Sequence, residues 1–300
     1  METTTLIPND LTIRRKLVTV HSPAAEPGFL GAGHQARAVI QTGFAQSDPF
    51  IMLMDDVLDK KDEKPAGGPH PHAGFETVSL LIEGELGNGE HRMKAGDFQM
   101  MTAGSGIIHT ETIDKKSRMR LLQMWLTLSK EDRWAQPRVQ DMALESVPKV
   151  LGDGLEIRVY SGSLAGVTSP LKNHVPLILA DIQLKAGVRT TLQLPASFNA
   201  FLYGIGGSVA VGEEQTPLAE NQVGWLDRRT EEADSTLELE GGPTGGRVVL
   251  YAGQPQGDPI VSYGPFIGDT QRDIMRLYGD YHAGKMKHVS TLPGEQAFVY

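Results

Sequence analysis

The chain has 300 residues, 40% of them hydrophobic and 22% charged, with 34 glycines, 18 prolines, no cysteine and a net charge of −9. Such a composition suits a soluble globular protein with a large core, and it lacks the basic excess that non-specific nucleic-acid binding needs to displace counterions from phosphate. Without cysteine there are no disulfides, thiolate metal sites or cysteine nucleophiles, which fits a reducing compartment.

The opening METTTLIPND has no basic segment followed by an apolar one, and no apolar run approaches the roughly 18 residues of a membrane span. The expectation is a cytoplasmic protein with neither a membrane nor, by itself, nucleic acid as partner. The densest basic group, Arg14, Arg15 and Lys16, reads as a solvated edge.

Residues 11–20, LTIRRKLVTV, alternate as a first strand. Segment 36–58 holds two more, ARAVIQTGF and FIMLMDDVL, split by the turn-like QSDP. A charged loop, KKDEKPAGG, leads into PHPHAGFETVSLLIEGE at 69–85. Strands and turns then follow closely: FETVSLLIEGE, LGNGE, HRMKAGD, FQMMTAG, IIHTETI and RMRLLQMWLTL. Short strands with glycine-centred turns predict an antiparallel sandwich or barrel.

Residues 129–149 lose the alternation, carry charge and proline, and read as a connection between domains. A second β series runs from GLEIRVYSG to GRVVLYAG and contains one histidine, His174. The chain is therefore read as two β domains, 1–148 with a histidine cluster and 149–300 without one. In TQRDIMRLYGDYHAGKM the spacing of Ile274, Leu277 and Tyr278 predicts a short C-terminal helix ending near Gly284.

His70 and His72 share one face if they lie in a strand, because residues i and i+2 point the same way. Glu76 shares their parity if the strand is unbroken, as a residue supporting a ligand histidine or as a plain strand residue. In GSGIIHTET, His109 and Glu111 repeat the two-residue spacing. If the two strands are neighbours, three imidazoles and one carboxylate converge. Imidazole suits Fe, Cu, Ni or Zn, and a carboxylate shifts the balance toward Fe or Mn. Gly67, Gly68 and the run Ala103–Gly106 precede the pairs and would turn the backbone sharply into the site. His21, His34, His91, His174, His282 and His288 have no such pairing and read as solvent or packing histidines.

Taken together, PHPHAGFETVSLLIEGE, AGDFQMMTAGSGIIHTE, LLQMWLTL and YGPFIGDTQRDI resemble the pirin family of the cupin superfamily, over roughly residues 65–280. The resemblance implies an all-β fold of two tandem jelly-roll barrels packed face to face, a monomer, and one metal in the N-terminal barrel. The family's HxH and HxE ligand motif falls on His70, His72, His109 and Glu111. It implies iron as the usual ion, and for some members cleavage of a flavonol such as quercetin with dioxygen, Glu111 then serving as the base for a substrate hydroxyl. The alternative it implies is a non-enzymatic, metal- or redox-responsive regulator that binds a protein partner. The chain departs from the family at Ala73, where arginine is usual, and in a shorter hairpin at 84–97; from the general cupin signature it departs at Thr102, where proline is usual.

Overall fold

Two strands fix the architecture because they are buried on both faces. In the computed structural model, which describes residues 12–87 and 92–300, Phe75–Glu83 is buried at every position but Glu83, and Leu177–Leu184 at every position but Gln183. A strand buried on both faces sits inside a sheet that is covered on both sides. Phe75–Glu83 accordingly lies within an eight-stranded sheet, between Phe98–Thr102 and Ser117–Thr127, which continues through Phe50–Lys60 to His34–Ala38. Leu177–Leu184 lies within a ten-stranded sheet, between Leu155–Ser161 and the long strand Asp234–Gly253. The pairings among these central strands are antiparallel. The all-β fold of two cupin barrels with a short C-terminal helix is thus present.

The two sheets pack face to face. Val78, Leu80 and Met124 of the first meet Tyr160, Phe201, Tyr203, Trp225 and Tyr251 of the second in one core. A buried polar network bolts this contact. Arg120 grips Asp55 with two hydrogen bonds of 2.9 Å and also reaches the Ile205 carbonyl and Asn221 Oδ1 across the interface, while the Tyr203 hydroxyl donates to Asp55 at 2.6 Å. The interior of the second barrel is filled by aliphatic side chains such as Ile157, Ile182, Leu192 and Leu237. The first barrel holds a smaller cluster around Leu58, Leu81, Met119 and Leu121 and keeps open space beside it.

Sheet membership does not follow chain order. Near the N-terminus, Leu17–His21 joins the ten-stranded sheet through Val223–Leu226. Near the C-terminus, Lys287–His288 pairs in parallel with Ile107 and Ile108, and Ala297–Val299 pairs in parallel with Arg138–Met142. The sheets thus exchange the two ends of the chain.

Two expectations need correction. The first strand is broken into Ile13–Arg14 and Leu17–His21, because Arg15 turns inward. It is only 1% exposed, donates to the Phe198 carbonyl at 3.2 Å and faces Asp227 at 3.7 Å, so it is no solvated edge. The connection 129–149 contains the strand Arg138–Met142. Its alternation is masked by Gln140, a buried polar residue whose amide exchanges two 2.9 Å hydrogen bonds with the backbone of Lys172.

The helix spans Gln271–His282, with a capping box between Thr270 and Asp273. Ile274 and Leu277 bury against Ala73, Phe266 and Met286. No helix among the described residues is long and apolar enough to cross a membrane.

Candidate metal centre

A small three-stranded sheet carries the histidines. Pro69–His72 pairs antiparallel with Ile107–Thr110, which pairs in turn with Lys287–His288. The register sets His109 opposite His70, and the two-residue period places His72 on the same face. The rings form a compact triangle, with centroids 4.2 Å apart for His70 and His109 and 4.9 Å for each pair involving His72. One nitrogen from each ring lies within 4.8 Å of the others.

The protonation pattern follows from neighbours. The Gly68 carbonyl lies 2.8 Å from His70 Nδ1; a carbonyl only accepts, so His70 carries its proton on Nδ1 and presents a lone pair at Nε2. His109 Nε2 stands 2.7 Å from that atom. Two nitrogens so close can share one proton or one cation, and two ligands each about 2.1 Å from an ion at a right angle would be about 3 Å apart.

His72 and His109 are 5% and 4% exposed. Burial, reinforced by the neighbouring imidazoles, pushes their pKa values down to about 3 and about 2, with only a weaker opposing pull on His72 from the Pro265 carbonyl. Both rings are therefore neutral at ordinary pH. His72 Nδ1 is buried and has no hydrogen-bond partner of regular geometry. Three crowded imidazoles, two of them held neutral by burial and one of those with an orphaned nitrogen, are a donor set that fits a divalent first-row ion.

Glu111 stands outside this tight group, on the wall of the adjoining cavity. Its Oε1 accepts from Gln123 Nε2 at 3.0 Å. Burial raises its pKa, opposed by His70 and the Gln123 hydrogen bond and helped by Asp56. The cavity measures about 460 Å³ and is bounded by His70, His72, Glu111, Gln123, Asp56 and Trp125 together with Phe29, Leu30, Met52, Met119 and Leu121. Phe75 and Trp125 pack against the His72 ring, with centroids at 5.2 and 5.3 Å, and fix its orientation.

Glu76 does not share the face of the histidines. The strand breaks between His72 and Phe75 at Gly74, which adopts φ +86°, and the break reverses the parity. Glu76 is fully buried beside Thr102, whose hydroxyl donates to it at 2.6 Å. Thr102 also accepts from Arg138 Nε at 3.2 Å, a double role that proline could not fill. Ala73 sits in the apolar cluster under the helix, where an arginine would leave a buried charge.

The remaining histidines divide. His174 faces Asp132 at 3.5 Å, His21 approaches the Val39 carbonyl, and His288 contacts Thr110 Oγ1 at 2.9 Å. His282 stacks on Tyr278. His91, in the shortened hairpin, lies outside the described residues. His34 is buried against Asp56 on the cavity wall, and neither it nor Asp56, Gln123 and Trp125 stood out in the sequence. They lie in or beside strands whose neighbours are apolar on both faces, which hides the alternation that would have flagged them.

The Pirin family profile matches residues 33–126, and the Pirin C-terminal cupin domain matches 179–287. Pirin-like protein 2 of Arabidopsis thaliana is 34% identical over 268 residues, covering 83% of this chain and 80% of its own. Human pirin is 32% identical over 249 residues, covering 79% and 82%. Among solved structures, quercetin 2,3-dioxygenase from Acinetobacter baumannii superposes with a TM-score of 0.78 at 25% identity, over 91% of this chain and 98% of that one. With both halves matched in order and the barrels built as described, the chain belongs to the pirin family of the cupin superfamily.

Proposed function

We propose that the protein is a metal-dependent dioxygenase that opens a flavonol such as quercetin, with His70, His72, His109 and Glu111 holding one divalent ion. Fe(II) is preferred over Mn, Cu, Ni or Zn, because it accepts imidazole and carboxylate together. The observation that carries this reading is the cavity of about 460 Å³ lying against His70, His72 and Glu111, beside the histidine triangle, large enough and apolar enough for a flat aromatic molecule. The similarity to a protein named quercetin 2,3-dioxygenase supports the substrate class.

When bound, the metal supplies Lewis acidity toward adjacent hydroxyl and ketone oxygens and a place for dioxygen. The rest falls to the chain. Glu111, with its raised pKa, takes up the substrate's hydroxyl proton at a carboxylate oxygen, while Gln123 Nε2 holds that carboxylate in place. Trp125, Met52, Met119 and Leu121 bracket the aromatic plane and exclude water. A regulator without turnover would need the metal and an outer surface, but not this cavity.

The test is elemental analysis of the purified protein, followed by oxygen uptake on quercetin after anaerobic loading with Fe(II), Mn(II), Cu(II) or Ni(II). About one metal per chain, with oxygen consumption and carbon monoxide release, is the expected result. One metal without uptake rejects flavonol cleavage. Failure to bind any of the four ions rejects the site.

A further inference from the structure

Besides Glu111, the cavity wall carries another carboxylate. Asp56 lies on Phe50–Lys60, opposite Leu121 of one neighbouring strand and Ala36 of the other. It is 7% exposed, and what surface it has borders the cavity. One of its oxygens is committed, since His34 Nε2 lies 2.9 Å from Oδ1. The direction of that bond is set by the backbone: the Leu30 amide donates to His34 Nδ1 at 3.0 Å, so the proton sits on Nε2, which donates to Asp56.

The histidine is itself immobilised. It is 3% exposed, Phe29 meets it edge-on at 5.5 Å, and Gly28 packs so closely that a Cβ there would fall 2.0 Å from the ring. Asp56 Oδ2, by contrast, accepts from no described residue. A largely buried carboxylate oxygen facing a cavity is served only by what the cavity holds, water or a donor on a guest. Phe29, 87% exposed, and Leu30 form the rim above this end.

Resting on the flavonol reading, we propose that Asp56, held in place by His34, is the cavity's second recognition point. It accepts a hydrogen bond from a ring hydroxyl of a planar polyhydroxylated ligand other than the hydroxyl and ketone pair that meets the metal, while Phe29 covers the ring. Asp56 is a specificity-determining residue and His34 a positioning residue. A ligand whose hydroxyl is absent or methylated at that point loses the donor and leaves the carboxylate unserved.

The experiment compares quercetin with 3-hydroxyflavone, which keeps the hydroxyl and ketone pair but lacks every other hydroxyl. Binding is followed by calorimetry under anaerobic conditions, on metal-free and Ni(II)-loaded protein. A hydrogen bond to a charged acceptor gives a preference for quercetin of about tenfold or more in the wild type. In D56N the amide oxygen stays on His34 and an NH2 group faces the cavity, so the preference should collapse and turn toward a methoxylated flavonol. H34Q, which leaves Asp56 in the sequence but removes its anchor, should weaken the preference in part and decides the matter if D56N does not fold. Metal content should stay the same in both variants. An unchanged ratio between the two flavonols in either folded variant, or loss of metal in D56N, overturns the assignment while leaving the flavonol reading intact. If the wild type binds neither flavonol, both fall together.

Discussion

Holding His72 and His109 neutral has a cost that should be measurable in the metal-free protein. Their pKa values fall from an ordinary 6.5 to about 3 and about 2 in the folded state. In the unfolded chain both rings take protons as pH drops through 6.5, whereas in the folded chain they do not until about 3 or below. Between those limits the unfolded state binds more protons, so stability falls as pH falls; above the upper limit neither ring contributes. Each unmatched proton costs about 1.4 kcal/mol per pH unit, which gives about 4 kcal/mol for the pair at about pH 5. Asp56, Glu76 and Glu111 work in the opposite sense, since their pKa values are raised mainly by burial and protonation relieves that penalty, so this figure is an upper bound. The assay is urea unfolding of metal-free wild type and of the H72Q/H109Q double variant at about pH 7.5 and about pH 5. The wild type should lose several kcal/mol more than the variant between the two conditions. Equal losses would mean that the imidazoles titrate as in water, and the account of a preformed, neutral donor set would be wrong.

Further outcomes can be checked on single variants. H70A or H109A should strip the metal with far-ultraviolet circular dichroism unchanged, whereas H174A, whose ring faces Asp132, should leave metal content alone. R120A strands the fully buried Asp55 between the barrels and should cost about 3–5 kcal/mol in urea unfolding. G74A places a Cβ 2.0 Å from the Ile267 carbonyl at φ +86°. It should therefore cost more than the about 1–2 kcal/mol of a left-handed residue alone, and faster amide exchange at Ile267, whose N–H bonds to Ala73, would report the displaced contact.

The three histidines were legible because their chemistry and their period agree: each pair repeats the two-residue spacing of a strand. What the sequence does not carry is register, and it is register that sets His70 opposite His109. Glu76 would share the histidines' parity only in an unbroken strand, and the break at Gly74 removes that condition. Proximity of the C-terminal segment was also hidden. Lys287–His288 reaches the strand of His109 only through a pairing of nearly two hundred residues' separation in the chain, and Phe266 closes over Ala73 in the same way. The helix was visible in its apolar spacing and its terminal glycine, which are local signals, whereas its start at the Thr270–Asp273 capping box came from the structure. The strand Arg138–Met142 was not, because a buried glutamine satisfied by backbone looks polar in any pattern.

The adjacent acids Asp55 and Asp56 show how one strand serves both the fold and the site. Both are buried, and no scale of propensity or hydropathy distinguishes them. The strand's alternation sends them to opposite faces of the sheet. Asp55 turns to the second barrel, where Arg120 and Tyr203 consume its hydrogen-bonding capacity and its removal would loosen the interface. Asp56 turns to the cavity, where a histidine takes one oxygen and leaves the other for a guest. A shift of one residue in this strand would exchange the two, putting a carboxylate without its arginine between the barrels and one without its histidine against the metal cavity. The same register that aligns His70 with His109 across the small sheet thus has a counterpart in the large one. The pairing of Leu121 with Asp56 and of Arg120 with Val57 keeps the structural acid and the recognition acid apart, with only a backbone peptide between them.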